Sequence, residues 1–268
     1  MTKVKFCEDI GDDLLNRVIP LFLDLDKKEI LKLYQFFISA FEDFEQYRLL
    51  TDEEIESVVI FPKNKVNNIY PWSDKTHHLG VDLPVWLSRN GNKKKVLICA
   101  MDPLRSNRRE GKVDIWTPFS VSTFMADSNQ RVVKTYWPFI SKLLTEVDVY
   151  LTDIFKVYYL RDLENGKTRK SNKDKEFKRG DLLEHHGNVI KAEVNLYKPD
   201  IIITLGEEAL KNLNEIKGEL GGIPIVSLPH LSYAAGGAKK EFILSHNYNY
   251  EPRSTAETIA EIVLNKYI

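Results

Sequence analysis

Asp102, Asp153, Glu207 and His230 each stand one or two residues past an apolar run of this sequence. A carboxylate so placed can position water or steady a developing cation, and an imidazole can donate to a departing oxygen. Around the first of them the stretch VLICAMDPLRSNRREG, residues 96–111, sets Asp102-Pro103 just ahead of Arg105, Arg108 and Arg109. Guanidinium forks match phosphate oxygens, so an acid beside this cluster suits chemistry on a polyanion. Simpler roles fit the same residues. Asp102 can cap a helix with Pro103 in its first turn, Asp153 can cap another, and the arginines can be solvated surface. A third possibility joins Asp102, Asp153 and Glu207 as strand-end ligands for magnesium in a metal-dependent nuclease or phosphohydrolase.

Two further segments carry candidate groups. TPFSVST, residues 117–123, puts Phe119 in a short apolar turn, as a core aromatic or as a stacking platform. LPHLSYAAGG, residues 228–237, presents His230 beside a small-residue loop, a usual setting for binding residues. The pairs His77-His78 and His185-His186 lack partners at ligand spacing, so no metal site is expected. The two cysteines, Cys7 and Cys99, make neither a disulfide framework nor a cluster site. With no signal-like or membrane-length apolar segment, the chain is expected to be cytoplasmic, without a membrane or an obligate protein partner.

The elements that must hold these residues follow from periodicity. Of the 268 residues, 43% are apolar and 29% charged, with a formal net charge of -1, enough chain for a substantial core and no global pull toward nucleic acid. Local fields differ: residues 8–56 are acid-rich, whereas 156–180 are strongly basic. Residues 1–60 read as an N-terminal helical segment, with three- and four-residue apolar spacing from 11 to 60 and Thr51 and Glu54 as a capping box. Residues 61–94 mix Pro, Gly, Asn and charge, and read as a connector packed on the main domain. From 95 to 268 the apolar runs 95–101, 147–152, 199–205 and 223–228 alternate with helical segments. Strands apolar at nearly every position are covered on both faces. The expectation is therefore an α/β three-layer sandwich with a central four-stranded parallel sheet and an N-terminal helical appendage. Ligands of such sheets bind beyond the carboxyl ends of the strands, so Asp102, Phe119, Asp153 and His230 should share one crevice.

In order, these segments resemble the uracil-DNA glycosylase superfamily. AMDPLR is similar to the family's GQDPYH motif, with Asp102 and Pro103 on its Asp and Pro; TPFSVS is similar to CFSV, with Phe119 on the aromatic that stacks against the flipped base. VYLTDIFKV resembles VYITNVVKC, with Asp153 on the base-reading Asn and Lys156 on the Lys; PHLSYAAGG resembles the HPS loop, with His230 on its His. KPDIIITLGEEAL resembles the strand and helix entry between them.

The resemblance implies hydrolysis of an N-glycosidic bond in DNA, uracil or another damaged base being flipped from the stack into an aromatic pocket. It makes Asp102 and His230 the catalytic pair: Asp102 positions water and stabilises the cationic sugar, and His230 stabilises the leaving base. Phe119, Asp153, Pro103 and Leu104 become base-binding residues. Arg105, Arg108, Arg109, Lys156, Leu231 and Ser232 become DNA contacts, with 232–237 as a wedge. No cofactor is implied, because the cysteines of the cluster-bearing branch are absent.

Three positions depart from the pattern. Leu104 replaces the Tyr that crowds the pyrimidine 5-position, and Leu231 the Pro of HPS. Asp153 replaces an Asn whose amide complements uracil's N3–H and O4; an ionised Asp only accepts, so a base with an exocyclic amine fits it better. The alternative is a non-catalytic module of the same fold that binds nucleic acid or nucleotide.

Overall fold

The computed structural model describes residues 3–8, 11–45, 53, 58–66, 76–89, 91, 94–101, 111–123, 135–162, 168–170 and 179–268. The four apolar runs form strands β5 (Lys95–Ala100), β7 (Asp148–Asp153), β10 (Ile201–Leu205) and β11 (Ile225–Leu228), in the parallel order β7-β5-β10-β11. Two antiparallel strands extend the β7 edge: β4 (Val85–Ser88), and beyond it β1 (Lys5–Phe6).

Successive side chains of a strand leave opposite faces of a sheet, and here both faces are covered. On one, Val96, Ile98, Val149, Leu151 and Ile203 share a core with α1 (Lys27–Glu45), α2 (Trp137–Leu143) and α6 (Thr255–Lys266) through Phe37, Phe139 and Ile259. On the other, Leu97, Cys99, Tyr150 and Ile202 meet α3 (Arg179–Tyr197) and α4 (Glu207–Glu215) through Ile190, Val194, Ala209 and Leu213. The result is a mixed α/β sandwich around a parallel-centred sheet. An Asp26/Glu29 capping box starts α1, each carboxylate accepting the other's backbone N–H at 2.8 and 2.9 Å. The expected Thr51/Glu54 box lies outside the described residues.

A second sheet was not foreseen. It runs β2 (Ile60–Pro62), β6 (Lys112–Trp116), β3 (Thr76–Asp82), β8 (Val157–Asp162) and β9 (Thr168–Lys170). The helical segment expected to run to residue 60 gives way there to β2, because pairing of Ile60 with Asp114 and of Phe61 with Val113 supplies hydrogen bonds that a helix end lacks. The segment 61–94, expected as an irregular connector, contributes β3 to this sheet and β4 to the main one. Part of the basic stretch 156–180 is an antiparallel pair, β8 with β9.

Candidate functional site

The carboxyl ends of the parallel strands are brought level by register. Ala100 of β5 stands opposite Asp153 of β7, and Leu205 of β10 opposite Leu228 of β11. Asp153 is buried. Beyond β10 the chain turns sharply into α4 at Gly206, whose φ of 93° is a conformation that side chains disfavour. Its N–H donates to Leu228 O at 2.8 Å, and a Cβ on this glycine would reach His230 Cβ at 3.5 Å. The turn thus seats His230 against the end of β10.

His230 is half-buried, and its two ring nitrogens have different partners. Ser232 N–H donates to Nδ1 at 3.2 Å, so Nδ1 accepts and the neutral ring carries its proton on Nε2. Burial, then the nearby Lys239 charge, lowers the imidazole pKa from its ordinary 6.5, which favours that neutral form. Nε2 lies 3.5 Å from the Tyr136 hydroxyl, with the rings edge-on at 6.1 Å. Tyr136 heads α2 and also stacks on Phe119, at 4.5 Å between centroids and 19° between planes. Burial, and then the charge of Asp153, pushes the Tyr136 pKa up to about 12, so its hydroxyl stays protonated.

Phe119 reaches this position through an unusual backbone. Phe119 and Ser120 have φ of 57° and 50°, left-handed values that cost a side-chain-bearing residue on the order of 1–3 kcal/mol each. Buried Thr117 and Val121 anchor the two sides, and Thr117 O accepts Ser120 N–H at 2.9 Å. Phe119 and His230 therefore meet on Tyr136. Tyr136 is the residue that sequence reading missed. Nothing in VVKTYWPF separates it from an ordinary core aromatic.

Several expected DNA contacts are elsewhere. Lys156 is wholly buried: Nζ pairs with Glu193 Oε2 at 2.7 Å and bonds Thr152 Oγ1, and its N–H donates to His186 Nδ1 at 2.9 Å. That ammonium is already satisfied beneath the sheet end and is no phosphate contact. Leu231 is 1% exposed within the core cluster, so it is not a duplex-facing side chain. Ser232 is half-buried, with its N–H committed to His230. The expected wedge 232–237 is largely helical, a turn at Tyr233–Ala235 leading into α5 (Gly236–Ser245). Asp102, Pro103, Leu104, Arg105, Arg108 and Arg109 lie outside the described residues. Glu207 is exposed in the first turn of α4. Among the described residues no group of three or more His, Cys, Asp or Glu is placed to hold a metal, and no helix is long and apolar enough to cross a membrane.

The profile of the uracil DNA glycosylase superfamily matches residues 89–249, more than half of the chain and every strand end described above. This chain belongs to the uracil DNA glycosylase superfamily. Among solved structures, wild-type Pedobacter heparinus SMUG2 is similar at 15% identity over 66% of this chain and 76% of its own, with a TM-score of 0.42. Comparison with curated proteins finds no match.

Proposed function

We propose that this chain is a DNA glycosylase that hydrolyses the N-glycosidic bond of a flipped uracil or other damaged base. The observation that carries the reading is the polarity of His230. With Nδ1 occupied by Ser232 N–H, the ring's remaining proton sits on Nε2 beside the Phe119 and Tyr136 rings. A neutral imidazole so fixed donates to an oxygen of a base lying against those rings, and stabilises it as the bond breaks and the base becomes anionic. Asp102 follows β5, whose Ala100 pairs with Asp153. In this reading its carboxylate orients water and steadies the oxocarbenium-like sugar on the other side of the bond.

Base choice turns on Asp153. An ionised carboxylate opposite uracil faces acceptor with acceptor at O4, whereas an exocyclic amine supplies the donor that the acid requires. The proposed preference is for a base with such an amine over uracil. Arg105, Arg108 and Arg109 are proposed to hold phosphates, and the substrate is DNA of unspecified strandedness. Cys7 and Cys99, both buried free thiols, support a reducing compartment such as the cytoplasm.

The test incubates the protein, with and without EDTA, on oligonucleotides carrying uracil, hypoxanthine, xanthine and common damaged bases, among them ones that keep an exocyclic amine, and then treats them with alkali to reveal abasic sites. Strand cleavage dependent on one of these bases, and lost in Asp102→Asn, supports the reading. Binding without release of any base leaves the non-catalytic module. Cleavage that EDTA abolishes returns the magnesium nuclease.

A further inference from the structure

The slot that the glycosylase reading assigns to the flipped base is already filled by a side chain. Tyr136 lies nearly parallel on Phe119, at 4.5 Å and 19°, the arrangement a stacked base would take. Its hydroxyl oxygen stands 3.5 Å from His230 Nε2, where an acceptor oxygen of the base would receive that proton. One residue thus reproduces both contacts, a six-membered ring on the aromatic platform and an oxygen at the imidazole. We propose that Tyr136 is a resident gate: its ring occupies the base slot in the unliganded protein, and the extruded base enters by displacing it.

The local structure allows that exchange. Tyr136 sits at the head of α2, with its carbonyl accepting Ile140 N–H at 3.0 Å and the buried Phe139 and Ile140 following it. The backbone is held, so in this proposal the base displaces the part-buried ring by turning it about its own side-chain bonds. Trading one stacking partner and one hydrogen bond for equivalent ones makes displacement nearly isoenergetic for a base that matches both, and unfavourable for one that lacks the acceptor oxygen. The gate therefore also selects: a base presents its carbonyl to His230 or fails to dislodge the ring. A purine, larger than the tyrosine ring it replaces, gains most from removal of the gate.

This inference rests on the glycosylase reading for the identity of the slot, but its test needs no catalysis. Free uracil and free hypoxanthine serve as probes, with affinities measured by equilibrium dialysis on the full chain. Tyr136→Ala is expected to bind both bases tighter than the wild type by roughly tenfold, with the larger gain for hypoxanthine. Tyr136→Phe keeps the ring and loses only the His230 contact, and is expected to gain roughly two- to tenfold. In the wild type, saturation with uracil should abolish the proton NOE between the Tyr136 and Phe119 rings. Equal or weaker binding by Tyr136→Ala, or an NOE that survives saturation, overturns the gate and makes Tyr136 a fixed wall. Should Tyr136→Ala not fold, the Tyr136→Phe affinity and the wild-type NOE decide between the same two outcomes. Failure of the wild type to excise any base, alongside a gain in free-base affinity on removing Tyr136, removes the glycosylase reading and keeps the gate. Excision without that gain does the reverse.

Discussion

Two clusters of polar side chains flank the end of β7, and they are built on opposite principles. Lys156, Glu193, Thr152 and His186 form a closed set: both charges have no exposed side-chain surface, and the ammonium, the carboxylate and the Lys156 N–H have partners inside the protein. The Tyr136–His230 cluster is half-buried and joined by one long contact of 3.5 Å. In the first, pairing counters part of the desolvation, which still raises the Glu193 pKa, and it braces residues 152–156 and with them the strand end that presents Asp153. In the second, a donor remains exchangeable. Burial depth alone would rank the first as the better candidate for chemistry, and completeness of pairing reverses that ranking.

Breaking the closed cluster should have the largest effect, and on stability. Lys156→Ala leaves Glu193 buried without its counter-ion, and is expected to lower the unfolding free energy by about 3–5 kcal/mol in urea titration. A loss below about 1 kcal/mol, the level of exposed ion pairs, would erase the distinction. For the open cluster the effect should fall on chemistry. His230→Ala is expected to reduce single-turnover base release by about a hundred- to a thousandfold while changing stability by no more than about 1 kcal/mol. A large loss of stability with intact turnover would make His230 a structural histidine.

Asp153 sits between the two and sharpens the contrast. Replacing its carboxylate with an amide, Asp153→Asn, should raise uracil excision at neutral pH by on the order of ten- to a hundredfold, relieving one mispaired contact. Both proteins are compared on one uracil-containing strand with Asp102→Asn as the inactive control; equal rates would detach residue 153 from base reading. The smallest effect is a slope. Burial, then the Lys156 and His185 charges, hold the His186 pKa well below 6.5, so the folded ring stays neutral where the unfolded chain takes up a proton. Stability from this group is complete above about pH 6.5 and is lost as pH falls below it, by up to about 1.4 kcal/mol per pH unit. Urea titrations from pH 8 to 5 should show the decline, and His186→Asn should flatten it; an unchanged slope would assign it to other groups.

The contrast between the clusters also marks what could be read in advance. The four core strands were legible because parallel strands covered on both faces must be apolar at nearly every position. The placement of Asp153 and His230 at strand ends was legible because each follows an apolar run directly or by two residues. Strands β3 and β4 were equally present in the sequence: Leu79, Val81, Leu83, Val85 and Leu87 alternate strictly and are all buried. Gly80, Asp82 and Pro84 between them masked the period by looking like a loop. Lys156 misled for a different reason. A lysine in a basic stretch is ordinarily solvated, and its counter-ion lies on a helix far along the chain.

Local order therefore determined the parallel core and the succession of motifs, because apolar periodicity and spacing along one chain are enough to specify which residues enter a sheet and which follow it. Tertiary structure alone decided which lysine is buried against Glu193 and which aromatic lies on Phe119. Those are contacts between segments distant in sequence, and a hydrogen bond or a stacked ring depends on relative positions that no local pattern encodes.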